Sequence, residues 1–163
     1  MAGAMEKGGV SRARPAPWVQ GFVLIGLLAL CLAVEYSASI VTRPAIETWY
    51  RDLAKPMWTP PDIAFPIVWT LLYVAMAVAA WLAWRVAPRA AGGALVTFAV
   101  QLALNGAWSF VFFGLHAPAL AFAVIVALLL AILATTVAFA QRDKAAAWLM
   151  VPYVAWVAYA TTL

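Results

Sequence analysis

The stretch APALAFAVIVALLLAILATTVAFA, residues 117–140, contains no charged side chain. A helix that crosses the hydrocarbon core of a bilayer needs about 20 consecutive apolar residues, so this run can span a membrane. Comparable runs precede and follow it. The predicted spans occupy about residues 18–41, 64–86, 94–115, 117–140 and 145–163. In lipid a backbone must satisfy its own hydrogen bonds, which favours helices. The sequence therefore predicts an all-α integral membrane protein, a five-transmembrane-helix bundle.

The composition supports the same class. Hydrophobic residues make up 67% of the 163 residues and charged residues 10%, against about 45–50% and about 25% in soluble domains. A soluble enzyme, a disordered chain and a disulfide scaffold are excluded on this basis. The single cysteine, Cys31, lies inside the first apolar run and has no intramolecular partner.

The domain organisation is simple. Residues 1–17 are predicted to form a flexible tail, because Gly, Pro and Arg follow no apolar period there. Residues 18–163 form one transmembrane domain, and residues 42–63, rich in proline and charge, form a long loop between helices 1 and 2. The other connections are short, which predicts that consecutive helices are antiparallel neighbours.

Lysine and arginine predict the orientation. Seven of these residues lie on the side of the N-terminus, and three lie on the side of the long loop. The positive-inside rule then places the N-terminus in the cytoplasm. The basic residues are spread thinly at the ends of apolar segments, so a nucleic-acid partner is not expected.

Helix 3 has two contrasting faces, because residues four apart lie on one side of a helix. The polar and aromatic face carries Gln101, Asn105, Trp108 and Phe112. The opposite face carries Ala99, Ala103 and Ala107. Small residues let helices approach closely in lipid, so the alanine face is a candidate contact with a second subunit.

Helices 2 and 5 carry aromatic stripes. They consist of Trp69, Tyr73, Met76 and Ala80 on helix 2, and of Tyr153, Trp156 and Ala160 on helix 5. Such stripes are typical of packed cores. The amides of Gln101 and Asn105 could likewise serve only to join helices by hydrogen bonds, and this interpretation stays equally open. Together, the aromatic stripes of helices 2, 3 and 5 and the amides of Gln101 and Asn105 favour a cavity for a flat, largely apolar ligand.

Other functional signals are few. Glu35 is the one acidic residue inside a predicted span, and an intramembrane carboxylate is a functional candidate by default. No cluster of His, Cys, Asp and Glu has metal-ligand spacing, and no catalytic triad or phosphate loop is evident. We expect no metal and no required cofactor.

A set of motifs resembles one known family. It comprises Trp49-Tyr50-x-x-Leu53-x-Lys55-Pro56-x-Trp58-x-Pro60-Pro61, Trp69-Thr70-x-x-Tyr73, Gln101-Leu102-x-x-Asn105-x-x-Trp108-Ser109 and Pro152-Tyr153-x-x-Trp156. In this order and on these spans, the motifs resemble the translocator protein family. That family is also called TspO/MBR, the peripheral benzodiazepine receptor or the tryptophan-rich sensory protein.

The resemblance implies a dimeric five-helix receptor or sensor whose cavity is lidded by the first loop. Its ligands would be porphyrins, isoquinoline and benzodiazepine drugs, and sterols, with a role in tetrapyrrole homeostasis or stress regulation. The weak sterol-recognition pattern has no match here, so sterol binding stays open. By resemblance the pocket is lined by Trp49, Trp58, Trp69, Tyr73, Gln101, Asn105, Trp108 and Trp156.

Several alternatives stay open. Arg51 and Lys55 could pair with porphyrin propionates, or face lipid phosphates or the carboxylates of Glu47 and Asp52. A porphyrin transporter and a porphyrin-degrading enzyme are the alternative functions. Trp69 and Trp156 match family positions tied to light-dependent porphyrin breakdown, but we do not classify the chain as an enzyme. We expect residence in a bacterial cell membrane.

Overall fold

Five α-helices run through residues 14–163, the part of the chain that this computed structural model describes. Their bounds are α1 Pro17–Glu47, α2 Ala64–Val86, α3 Gly92–Ser109, α4 Pro118–Ala140 and α5 Lys144–Ala160. A π-helical turn, Phe110–Gly114, continues α3, and short 3-10 turns occupy Tyr50–Asp52 and Pro88–Ala90. The described residues contain no strand. The predicted tail falls mostly on residues 1–13, which lie outside the described residues.

Four of these helices are long and apolar enough to cross a membrane: α1, α2, α3 together with its π-helical turn, and α4. Their most apolar windows have mean hydropathies between 1.6 and 2.8. The helix α5 has 17 residues and is shorter than these. The all-α membrane bundle is thus confirmed, whereas the count of five spans stays a prediction.

The first helix is longer than its apolar run. It has 31 residues and continues to Glu47, although the sequence predicted a loop from residue 42. The Thr42 hydroxyl donates to the carbonyl of Ala38, and Ala45 is buried. Hydropathy indicates which residues can contact lipid, not which residues are helical. Because the last turns of α1 are polar, they were wrongly assigned to the loop. The connection proper comprises residues 48–63.

The helices pack in the cyclic order α1, α2, α5, α4, α3, and α3 closes back on α1. The consecutive helices α2 and α3 pack little against each other, so the expectation that they are neighbours was wrong. They instead face each other across the interior. Short connections limit how far two helix ends can separate, but they leave the direction of the helix axes free.

One end of the bundle is tied together by Arg142. Its guanidinium donates from Nε to the carbonyl of Ala83 at 2.8 Å, from Nη1 to Ala90 at 2.9 Å and from Nη2 to Ala87 at 2.7 Å. These acceptors include carbonyls that the end of α2 leaves without helical partners. The α2–α3 and α4–α5 turns therefore lie at the same end, as the orientation prediction requires.

The predicted faces of α3 are confirmed. Gln101 and Asn105 are buried, and Ala99, Ala103 and Ala107 are exposed on the outer surface. Gly106 lies where α3 approaches α1: a Cβ at this position would lie 3.3 Å from Cγ1 of Val34.

Candidate functional site

A chain of hydrogen bonds crosses the centre of the bundle. The hydroxyl of Tyr73 donates to Oδ1 of Asn105 at 2.6 Å. Nδ2 of Asn105 then donates to the hydroxyl of Tyr153 at 2.6 Å. The three side chains come from α2, α3 and α5, and each is at most 3% exposed. Polar groups in an apolar interior need partners, so this chain fixes the relative positions of three helices.

Gln101 lies one helical turn before Asn105 and is fully buried. Its Nε2 lies 3.7 Å from the sulfur of Met76, a weak acceptor. Its Oε1 has no hydrogen-bond donor among the described residues. A buried acceptor without a donor costs about 1–3 kcal/mol. The centre of the bundle thus retains one unused hydrogen-bonding position.

Aromatic rings on α2 and α5 extend from this centre towards the long connection. Trp69 packs against Tyr73, with ring centroids 5.9 Å apart, and against Tyr153 at 6.2 Å. Farther along, Trp156 packs edge-on against Phe65 at 5.9 Å. Repetition of aromatic residues every three or four positions on each helix places them on the facing sides of α2 and α5.

A second aromatic cluster lies at the end of α3. Trp108 stacks on Phe112 with centroids 5.2 Å apart, and Phe113 meets both rings edge-on. Trp49, just after α1, stacks on His116 at 4.5 Å and touches Phe112 at 5.3 Å. Phe112 and Phe113 both lie in the π-helical turn that continues α3, so this irregular turn carries two rings of the cluster.

The connection between α1 and α2 is anchored by Tyr50, which is buried against Phe112 and Phe113. Burial raises the pKa of the Tyr50 phenol, and the nearby carboxylate of Asp62 raises that pKa further. The ammonium of Lys55 lies 4.1 Å from the centre of the Tyr50 ring, in a cation–π contact. Ring contacts of Tyr50 therefore hold the connection on the bundle, and the cation–π contact of Lys55 fixes the connection internally.

Comparison with known proteins identifies the family of this chain. The model of the TspO/MBR family matches residues 27–163, which include all five helices except the first turns of α1. The chain belongs to the TspO/MBR family. The resemblance inferred from the motifs is thereby confirmed, and the chain is an integral membrane protein of this family.

Curated relatives of this TspO/MBR chain come from distant organisms. The tryptophan-rich protein TspO of Chlorobaculum tepidum is 41% identical over 138 residues, covering 83% of this chain and 87% of the relative. The tryptophan-rich sensory protein of Cereibacter sphaeroides is 41% identical over 142 residues, covering 86% of each. The human translocator protein is 36% identical over 152 residues, covering 90% of this chain and 87% of the relative.

The structure places the eight predicted pocket residues of this family member at four locations. Tyr73, Gln101, Asn105 and Trp69 meet at the centre, and Trp49 and Trp108 belong to the cluster at the end of α3. Trp156 lies one turn beyond Tyr153 on α5, beside Phe65. Trp58 is 60% exposed, and its side chain is separate from the others. Its backbone carbonyl accepts a hydrogen bond from the hydroxyl of Tyr159, which fastens the connection to α5.

The central polar side chains contact one another and not an open space. Asn105 uses both ends of its amide on tyrosine hydroxyls. A ligand at this level must therefore displace these contacts or reach the free Oε1 of Gln101. The two predicted propionate partners are also engaged: Lys55 with the Tyr50 ring, and Arg51 with Asp52 across 3.8 Å on the surface.

The list of predicted pocket residues omitted several members of these clusters, above all Tyr153, Tyr50 and His116. Tyr153 lies in the aromatic stripe of α5 and in a family motif, so its periodicity was an available signal. His116 gives no functional signal in the sequence, but it stacks on Trp49 and has a left-handed backbone with φ 52°. Only a structure brings together residues so far apart in the chain.

The remaining candidate, Glu35, has a structural explanation. Glu35 accepts a hydrogen bond from the hydroxyl of Thr70, which joins α1 to α2. Within residues 14–163, no three His, Cys, Asp or Glu side chains are grouped closely enough to hold a metal ion.

Proposed function

We propose that this TspO/MBR protein is a membrane receptor or sensor that binds porphyrins and similar flat apolar molecules inside its bundle. Isoquinoline and benzodiazepine-type drugs would use the same place. The output would serve tetrapyrrole homeostasis or stress regulation. Family membership supports the receptor or sensor class, since relatives carry the names tryptophan-rich sensory protein and translocator protein.

The observation that carries the proposal is the unused acceptor of Gln101. Its Oε1 is buried beside the Tyr73–Asn105–Tyr153 chain, with no donor in the described part of the molecule. A pyrrole N–H of a free-base porphyrin is a donor of suitable chemistry. The rings of Trp69, Trp108 and Trp156 offer flat apolar surfaces nearby, which suit an aromatic macrocycle.

The connection 48–63 supplies a lid in this proposal. Lys55 rests on Tyr50, and Arg51 pairs with Asp52 on the exposed surface, so both cations can exchange their partners at low cost. A propionate group of a porphyrin would replace these partners with a charge-assisted hydrogen bond. Because Trp58 is tied to Tyr159 through its backbone carbonyl, opening the lid breaks one hydrogen bond to α5.

The proposal includes five spans and a homodimer. The 17 residues of α5 rise by about 25 Å, close to the thickness of the hydrocarbon core. The exposed face of Ala99, Ala103 and Ala107 would pack against the same face of a second copy. Replacing Ala103 with leucine should then shift cross-linked dimer towards monomer, whereas the same change at exposed Ala155 should not; a shift caused by Ala123→Leu would instead favour the competing stripe of Ala119, Ala123 and Ala127 on α4.

The binding proposal is tested by titrating the purified protein with protoporphyrin and following the quenching of tryptophan fluorescence. We expect saturable quenching in the micromolar range or tighter, reversed by an isoquinoline competitor. Gln101→Leu removes the free acceptor and should weaken protoporphyrin binding. Asn105→Leu should weaken the binding of both protoporphyrin and the isoquinoline, because it disorders the centre of the bundle.

Two tryptophans on α5 provide a matched control. Trp156→Phe changes a ring beside Phe65 inside the bundle, and Trp148→Phe changes a ring that is 72% exposed on the outer surface. Only the first substitution should reduce affinity. If Gln101→Leu and Trp156→Phe both bind protoporphyrin normally while remaining folded, the internal site is wrong.

The alternative functions have distinct outcomes. A transporter would move porphyrin into protein-containing liposomes faster than into empty ones, and coupling through Glu35 would make Glu35→Gln slower. An enzyme would form a discrete breakdown product that Trp69→Phe fails to make. Bleaching at the rate caused by free tryptophan would exclude enzymatic breakdown.

A further inference from the structure

A groove on the outer surface runs between the end of α4 and the start of α5. Its lining consists of Thr136, Ala140, Lys144, Ala147, Trp148 and Val151. The groove contains none of the residues assigned to the internal site. We propose that this groove binds one diacyl anionic phospholipid, such as phosphatidylglycerol, from the leaflet on the side of the α4–α5 turn.

The groove changes from charged to apolar with depth. Lys144 is the first residue of α5, and Val151 lies about 10 Å farther along the helix axis at 1.5 Å per residue. On α4, Ala140 and Thr136 follow the same direction into the membrane. The Thr136 hydroxyl is satisfied by the carbonyl of Ile132, so it adds no free polar group to the wall. A charged rim above an apolar furrow matches the headgroup and acyl chain of a lipid.

Small side chains create the furrow. Ala140 and Ala147 face it from the two helices, and a methyl side chain leaves room between larger neighbours. Trp148 forms one wall and is 72% exposed. A tryptophan near a helix end prefers the interface, where its ring contacts lipid and its N–H meets polar headgroup atoms. An acyl chain along the two alanines would pack against this indole.

The charge of the rim favours an anionic headgroup. Lys144 is exposed and has no carboxylate within ion-pair distance among the described residues. The adjacent Asp143 accepts hydrogen bonds from the amides of Ala145 and Ala146 at 2.8 and 3.3 Å, so its carboxylate caps α5. Arg142 does not line the groove, because its guanidinium is bound to carbonyls at the end of α2 and in the α2–α3 turn, so Lys144 is the cation of the rim. Basic pockets between transmembrane helices are typical sites for anionic lipid headgroups.

The test compares lipids retained by the detergent-purified protein in native mass spectrometry. With equal concentrations of phosphatidylglycerol and phosphatidylcholine, we expect one tightly retained phosphatidylglycerol. Lys144→Gln should lower its retention about fivefold, the effect of one basic residue near the headgroup. Ala147→Leu fills the furrow without changing charge and should lower the retention of both lipids.

Arg89→Gln is the matched control, because Arg89 is an exposed cation of the α2–α3 turn at the same end but outside the groove. It should leave the retained lipid unchanged. Equal losses in Lys144→Gln and Arg89→Gln, or equal retention of the two lipids by the wild type, would overturn the proposal. So would displacement of the lipid by excess inorganic phosphate, because the acyl chain would then contribute nothing. Protoporphyrin affinity should stay constant in all three variants.

Discussion

The hydroxyl of Tyr73 on α2 and the side-chain carbonyl of Asn105 on α3 are joined by a hydrogen bond of 2.6 Å across the interior of the bundle. These helices are consecutive in the chain, but they pack little against each other elsewhere. The same amide continues to Tyr153 on α5. One asparagine therefore connects three helices across the interior of the bundle.

Asn105→Leu should destabilise the bundle. The substitution keeps the side-chain size but leaves the hydroxyls of Tyr73 and Tyr153 buried without this partner, at about 1–3 kcal/mol. A double-mutant cycle with Tyr73→Phe should give a coupling energy of about 0.5–2 kcal/mol, measured from unfolding in detergent. Purely additive effects would mean that the two side chains do not interact in the folded protein.

Arg142→Lys should also destabilise the protein, although it keeps the positive charge. A lysine ammonium cannot reach the three carbonyls of Ala83, Ala87 and Ala90 with the geometry of a guanidinium. We expect a loss of about 2 kcal/mol or more, since hydrogen bonds to charged groups are worth about 1.5–3 kcal/mol each. Hydrogen exchange should accelerate in the α2–α3 turn. Lys144→Gln, two residues away and exposed, should change neither measurement.

The connection 48–63 should loosen in alkaline solution. Burial and the Asp62 carboxylate raise the pKa of Tyr50 above its ordinary value. The folded form therefore resists deprotonation of Tyr50. The stability that the protonated Tyr50 gives the connection is fully present below pH 10, and it is lost as the pH rises through the pKa of Tyr50 in the folded protein. Spectrophotometric titration of the phenolate should show a late-titrating tyrosine that is missing in Tyr50→Phe.

Asp62→Asn tests whether the Asp62 carboxylate raises the pKa of Tyr50. Removing the carboxylate should lower the pKa of Tyr50 towards its ordinary value, while burial keeps it raised. A pKa that increases in Asp62→Asn would contradict the assigned electrostatic cause.

The charged residues of the connection should distinguish anionic from neutral ligands. Arg51→Gln and Lys55→Gln should each weaken protoporphyrin binding about twofold to fivefold, the range expected for exposed ion pairs. The affinity for a neutral isoquinoline should stay the same. Arg43→Gln, an exposed cation on the last turns of α1, is the control. Equal effects on both ligands would indicate a change in lid structure and not a pairing with propionates.

Helical periodicity correctly predicted the two faces of α3, because the positions of Asn105 and Ala103 around a helix follow from geometry alone. The tyrosine–asparagine chain could not be derived in this way. Its partners are 32 and 48 positions apart, and their meeting depends on the helix order around the bundle. Connection lengths correctly suggested α1 as a neighbour of α2 but wrongly suggested α3. The extent of α1 was underestimated because Thr42–Glu47 is polar but still helical.

The aromatic residues show a similar division. Trp69 and Trp156 were placed on the correct helix faces by their spacing, and Trp49 was expected near the opening. The stacking of Trp49 on His116 requires a left-handed residue and a π-helical turn. Neither has a reliable signal in a single sequence, so this cluster needed coordinates.

The peripheral position of α1 affects how the molecule comes apart. Only 6% of its most apolar window is buried, compared with 28–39% for α2, α3 and α4. Its attachments include the hydrogen bond from Thr70 to Glu35 and the one from the Trp81 indole to the carbonyl of Gln20. A force applied to the amino terminus should consequently peel α1 away first. The remaining helices, joined through Asn105 and Arg142, would yield in a separate, later rupture.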